Sequence, residues 1–181
     1  VSDGADGFSH PSVQATTKNE NVENALSGGA VDVVAGTAWL FAREGMTEMV
    51  DTLVIDEAGQ LSLANVIAVA PAASNLVLVG DPRQLAQPSK GTHPAGAEVS
   101  GLDHVLNGEA TMPDHLGLFL DRTWRMHPEV CEFISEQVYD GRLASEAHCA
   151  AQQVDDGPVV GGTGLRWIPV EHEGNRTSSA E

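Results

Sequence analysis

Apolar and polar positions fall into distinct stretches along the chain. Residues 1–30 are rich in Ser, Asp, Gly, Asn and Thr and poor in large apolar side chains, which predicts a loop or disordered lead-in closed by Gly28 and Gly29. Val31-Asp-Val-Val-Ala35 is β-branched and predicts a short strand, followed by Gly36 and Thr37 as turn and helix start and by one or two helical turns over 38–43. Thr52-Leu-Val-Ile-Asp56 predicts the clearest strand, and its apolar run stops abruptly at two carboxylates. Apolar residues at 61, 63, 64, 66, 67, 69 and 70 predict a substantially buried helix within Gln60–Ala73, strained near its end by Pro71. Asn75-Leu-Val-Leu-Val79 predicts a second strand that runs into Gly80-Asp81-Pro82. Strand, helix and strand within about 30 residues make a βαβ unit of a parallel sheet.

Downstream, residues 86–115 are interrupted by Pro88, Gly91, Pro94, Gly96 and Pro113 and predict loop around one short helix at Leu102–Leu106. Gly117-Leu-Phe-Leu120 predicts a third strand. Pro128 suits a first helical turn, and Val130, Phe133, Ile134 and Val138 form an apolar stripe at helical spacing. Leu165-Arg-Trp-Ile-Pro-Val170 predicts a last strand before a polar tail, and no internal repeat is present.

Length and composition narrow the class. A chain of 181 residues is one domain or parts of two, and 41% hydrophobic residues suffice for a core. No apolar stretch approaches the roughly 18 residues of a membrane span, and no secretory signal opens the sequence. Nine Lys and Arg against 26 Asp and Glu give a net charge of −17, which argues against a broad basic face for nucleic acid while leaving room for a local groove. Cys131 and Cys149 lack CxxC spacing and read as reduced thiols, pointing to the cytoplasm. The seven histidines show no HExxH-like spacing, so zinc is not expected.

Candidate chemistry gathers where strands end. Ligands of open parallel sheets bind at the carboxyl edge of the strands, and here Asp56-Glu57 and Asp81 both lie there. One carboxylate can hold hydrated Mg²⁺ while the next activates water for phosphoryl transfer; equally, Asp56 and Asp81 can simply cap turns. Gln84 carries an amide able to accept from water and donate to phosphate. Arg125, within Thr123-Trp-Arg-Met-His-Pro128, carries a guanidinium that can compensate phosphate charge or serve a surface ion pair. Trp124 and Met126 read as packing residues.

Leu53-Val-Ile-Asp-Glu-Ala58, Gly80-Asp-Pro-Arg-Gln-Leu85 and Thr123–Pro128 resemble motifs II, III and IV of superfamily 1 helicases (UvrD/Rep-like, AAA-type). The wording is closest to the 1B branch, which includes the nonsense-mediated-decay helicase. It is especially similar to bacterial proteins that join a RecB-like nuclease domain to such a helicase. Val34-Ala-Gly-Thr37 resembles the short nucleic-acid-contacting motif upstream of motif II. The resemblance covers roughly 31–143 and implies an α/β, P-loop NTPase RecA-like parallel sheet, partial, running into the start of a second RecA-like domain. Its implied organisation is a lead-in at 1–30, the C-terminal part of the first domain at 31–115, and the start of the second at 116–181.

Carried over residue by residue, the resemblance implies ATP and Mg²⁺ as cofactors. Asp56 would hold the metal, Glu57 would act as catalytic base, Gln84 would sense the γ-phosphate, and Arg125 would be the finger from the second domain. Thr37 would touch a nucleic-acid phosphate. His127 and Pro128 would set the start of the following helix, and Gly80 and Asp81 the motif III turn. The implied partner is single-stranded nucleic acid, DNA ahead of RNA, with no membrane and with room for a nuclease domain in the same full-length chain.

One element of that family pattern is missing. ATP needs a GxxxxGK[ST] loop, yet the two lysines, Lys18 and Lys90, do not follow the required glycines. The expectation is therefore an interior slice of a helicase, inactive alone. A non-catalytic remnant or interaction module on the same sheet stays open beside it. A GTPase-like reading explains the strand ending in Asp-Glu but not the GDxxQL or RMHP segments.

Overall fold

The computed structural model describes residues 10–84, 99–155, 157 and 161–169. The chain divides into two compact units, Val1–Asn107 and Gly108–Glu181, eight residues before the boundary expected from the sequence. Leu85 and Pro88 of the third motif, Lys90, and the polar tail from 170 lie outside the described residues.

In the first unit the lead-in is not all loop: α1 spans Asn19–Ser27. Its half-buried Val22, Ala25 and Leu26 fall at i, i+3 and i+4 on one face, a stripe too thin to stand out among polar neighbours. An ion pair from Arg43 Nε to Glu23 Oε1 at 2.9 Å ties the helix to the chain beyond α2, Ala38–Phe41. Residues 31–35, expected as a strand, join no ladder among the described residues, and Val33 is exposed. β-Branched composition favours an extended chain, but a strand also needs a partner edge at hydrogen-bonding distance.

The expected βαβ unit is present. β1, Val50–Ile55, and β2, Ala73–Leu78, pair in parallel with Thr52 opposite Asn75 and Ile55 opposite Leu78. Between them, α3 covers Leu63–Val69, shorter than the pattern suggested. Ser62 caps it by accepting from the Asn65 N–H, and Pro71 diverts the chain into a 3₁₀ turn at Ala70–Ala72. The helix is only half buried: Val66 and Val69 face inward, whereas Ile67 is exposed. With Leu40, Phe41, Met46, Leu53, Ile55, Leu102 and Leu106 they make up the core of this unit. The other side of the strand pair leaves the paired Val54 and Val77 exposed, and Leu76, opposite Leu53, is also exposed. α4, Gly101–Leu106, is capped by Ser100, whose hydroxyl accepts from the Asp103 N–H and donates to Asp103 Oδ2.

In the second unit β3, Arg122–Thr123, pairs in parallel with β4, Ala144–Ser145, and between them runs α5, Pro128–Val138. His127 caps α5 through Nδ1, which accepts from the Glu129 N–H, and Pro128 opens its first turn as expected. The buried face of α5 carries Cys131 and Ser135, while Phe133 of the predicted apolar stripe is exposed. Residues 117–120 form no strand. Phe119 instead lies under the Arg142 guanidinium at 4.6 Å, and Leu118 and Leu120 are exposed. Arg142 also donates to Thr111 Oγ1 at 2.8 Å and to the Met112 carbonyl at 3.0 Å. Leu165–Pro169 is likewise irregular, with Trp167 exposed, and residue 170 of that expected strand lies outside the described residues. Among the described residues no helix is long and apolar enough to cross a membrane.

Cys131 and Cys149 are free thiols and both are buried. Burial, and then the neighbouring Cys149 thiol, push the Cys131 pKa up from its ordinary value, so less thiolate forms at a given pH. A raised folded-state pKa stabilises the fold below the ordinary thiol pKa, and that stabilisation is lost as pH rises through the raised value. In the native protein at pH 7.5, both thiols should resist an aromatic disulfide reagent, and both should react at once in denaturant. Rapid labelling of the native protein would contradict the burial.

Candidate functional site

The carboxyl ends of β1 and β2 meet in two short turns. Asp56 and Glu57 leave β1 exposed to solvent, with the Glu57 N–H donating to Asp56 Oδ1 at 2.9 Å. Glu57 has φ 53°, the left-handed region that a residue with a β-carbon rarely adopts. The Ala58 N–H donates to the Val79 carbonyl at 2.8 Å, and the Val79 N–H donates to the Ile55 carbonyl at 2.9 Å. These bonds carry the strand ladder past the ends of β1 and β2 and into the turns.

Two glycines permit closer contact still. A β-carbon on Gly59 would overlap the Asp81 carbonyl and press on the Pro82 Cα; one on Gly80, at φ 149°, would meet the Ala58 nitrogen at 2.8 Å. The turn bearing Asp56 and Glu57 and the turn bearing Gln84 are therefore in backbone-to-backbone contact. Asp81 organises the second turn: its Oδ1 accepts from the Arg83 N–H at 2.9 Å and its Oδ2 from Gln84 Nε2 at 3.4 Å. This is the shaping role expected for Gly80 and Asp81.

The structure thus brings Asp56, Glu57 and Gln84 into one neighbourhood. Gln60, which the sequence did not single out, joins them: its Nε2 donates to Glu57 Oε2 at 3.3 Å. Its position three residues after Glu57 in a tight turn was the available signal. Thr37 precedes α2 with its side chain exposed and making no cap bond. A groove of about 1120 Å³ runs between residues 31–36 and β1, and Asp56 also lines it. Arg125 belongs to the second unit, on the loop between β3 and α5, with its side chain exposed.

A metal fits this donor set in a limited way. Among the described residues no three His, Cys, Asp or Glu side chains cluster as a cage would require. Mg²⁺ needs no such cage, since it commonly binds through one or two carboxylates, water and substrate phosphates. Asp56, solvent-facing at a strand end, meets that requirement.

Residues 11–87 match a family described as the AAA domain. The chain is also similar over part of its length to helicases. Its two parallel strands and intervening helix are part of a P-loop NTPase, RecA-like fold. A probable helicase of Arabidopsis thaliana, MAGATAMA 3, is 33% identical over 107 residues, covering 59% of this chain and 13% of the relative. A putative ATP-dependent RNA helicase of Saccharomyces cerevisiae, ECM32, is 36% identical over 94 residues, 50% of this chain and 8% of the relative. The mouse 5'-3' DNA helicase ZGRF1 is 27% identical over 119 residues, 65% of this chain and 6% of the relative. The matched part is thus a small share of the curated relatives' length.

Proposed function

We propose that this helicase-like segment serves an ATP-dependent translocase or helicase acting on single-stranded nucleic acid. The observation that carries the proposal is the contact between the Asp56-Glu57 turn and the Gln84 turn at the ends of two adjacent parallel strands. In this reading Asp56 holds Mg²⁺, which when bound neutralises phosphate charge. Glu57 accepts a proton from the attacking water, and its carboxylate is steadied by Gln60. Gln84, drawn toward Asp81, senses the γ-phosphate by accepting from water and donating to a phosphate oxygen. Arg125 supplies positive charge from the second unit as charge develops in the transition state. Thr37, at the start of α2 beside the groove, donates to a backbone phosphate of the strand.

DNA stands ahead of RNA in the proposal, although the relatives' names include both. The reading keeps room for a RecB-like nuclease domain in the same full-length chain, and the two free thiols suit a cytoplasmic protein. No GxxxxGK[ST] loop occurs in the 181 residues, so in this reading the phosphate cradle belongs to further chain and the segment alone is expected to be inactive.

The test is the intact mass of the native polypeptide, followed by ATP hydrolysis with and without single-stranded DNA or RNA. A mass well above 19.0 kDa together with nucleic-acid-stimulated hydrolysis supports the proposal. A mass near that value with no nucleotide binding instead supports the second reading, a non-catalytic interaction module, which the missing loop favours.

A further inference from the structure

The loop that carries Arg125 is exposed, yet its main chain is held on both sides of that residue. The Arg125 N–H donates to Thr123 Oγ1 at 3.3 Å, and the Arg125 carbonyl accepts from Gln152 Nε2 at 2.9 Å. One residue on, the Met126 carbonyl accepts from Ser145 Oγ at 2.6 Å. Below the loop the Ala144 N–H donates to Asp121 O and the Glu146 N–H to Thr123 O, and above it His127 and Pro128 begin α5. The two peptide planes that flank the Arg125 Cα are therefore both engaged, which sets φ and ψ and so the direction of its β-carbon. The guanidinium itself makes no hydrogen bond or ion pair among the described residues.

We infer that Gln152 and Ser145 are positioning residues that aim Arg125 by holding the main chain that follows its Cα, at its own carbonyl and at that of Met126. The inference rests on the proposed role of Arg125 in phosphoryl transfer. A long cationic side chain loses conformational entropy when it engages a phosphate, and a backbone already fixed reduces the part of that loss incurred during reaction. Gln152 lies 27 residues from Arg125 and reaches it only through the fold. Its bond is solvent-exposed and contributes little to stability, so its deletion should register in catalysis before it registers in folding.

The experiment is a double-mutant cycle in the full-length protein, read as nucleic-acid-stimulated ATP hydrolysis. Gln152→Ala should lower kcat about tenfold and leave the KM for ATP within about twofold, because an aim realised in the transition state affects kcat. In an Arg125→Ala background the same change should cost less than about twofold, since there is no guanidinium left to aim. Ser145→Ala, which deletes one hydroxyl, should follow the same two-part pattern, and thermal midpoints should report that each variant is folded. Losses that multiply in the double variant, or a folded Gln152→Ala with unchanged kcat, overturn the inference. If Arg125→Ala alone leaves kcat unchanged, the proposed role of Arg125 falls first, and the inference with it.

Discussion

Glu57→Gln in the full-length protein is expected to keep nucleotide and nucleic-acid binding while lowering turnover by about 10²–10⁴-fold, the usual contribution of a general base. The substitution preserves length and hydrogen-bonding reach, so the Gln60 amide and the Asp56 contact at the Glu57 N–H remain available. It removes only the ability to take a proton. The left-handed backbone at this position supplies a control. Glycine adopts that region without the roughly 1–2 kcal/mol disfavouring a β-carbon there, which offsets its larger chain entropy when unfolded. Glu57→Gly should therefore abolish turnover at nearly unchanged thermal stability. Turnover by Glu57→Gln close to that of the parent protein would remove Glu57 from the role of base.

Arg125→Ala is expected to reduce kcat by about 10³-fold or more, as loss of a transition-state arginine does in phosphoryl transfer, while affinity for single-stranded nucleic acid changes little. Because the guanidinium makes no hydrogen bond or ion pair among the described residues, truncation removes none of these, and the thermal midpoint should change little. The paired measurements are steady-state ATPase and strand binding by fluorescence anisotropy at fixed salt. A fall in strand affinity with kcat intact would make Arg125 a phosphate-backbone contact instead.

The strand pair and its acidic ends were legible because several signals coincide there: apolar runs of strand length, a helical pattern between them, and abrupt termination at charged residues. The three strand assignments at 31–35, 117–120 and 165–170 had only the first signal. Val33, Leu118 and Trp167 show why that was insufficient, since each is exposed on chain that found no pairing edge among the described residues. The helix at Asn19–Ser27 was missed for the opposite reason: it is a surface helix stabilised partly by an ion pair to Arg43, twenty residues away, which no local pattern encodes. The candidate site divides along the same line. Asp56 and Glu57 are placed by local sequence, whereas the reach of Gln152 to Arg125 exists only once the chain has folded.

The meeting of Gly59 and Gly80 also bears on how the two turns can respond to a ligand. Side chains between two segments act as a spring, taking up small displacements by changing rotamer. Here main chain rests on main chain, and the hydrogen bond between Ala58 and Val79 ties the segments together. No slack is left to absorb a push. A shift of the Gln84 turn by a fraction of an ångström must be passed to the backbone of Glu57 or be refused, so the pair moves as one body, like meshed gear teeth.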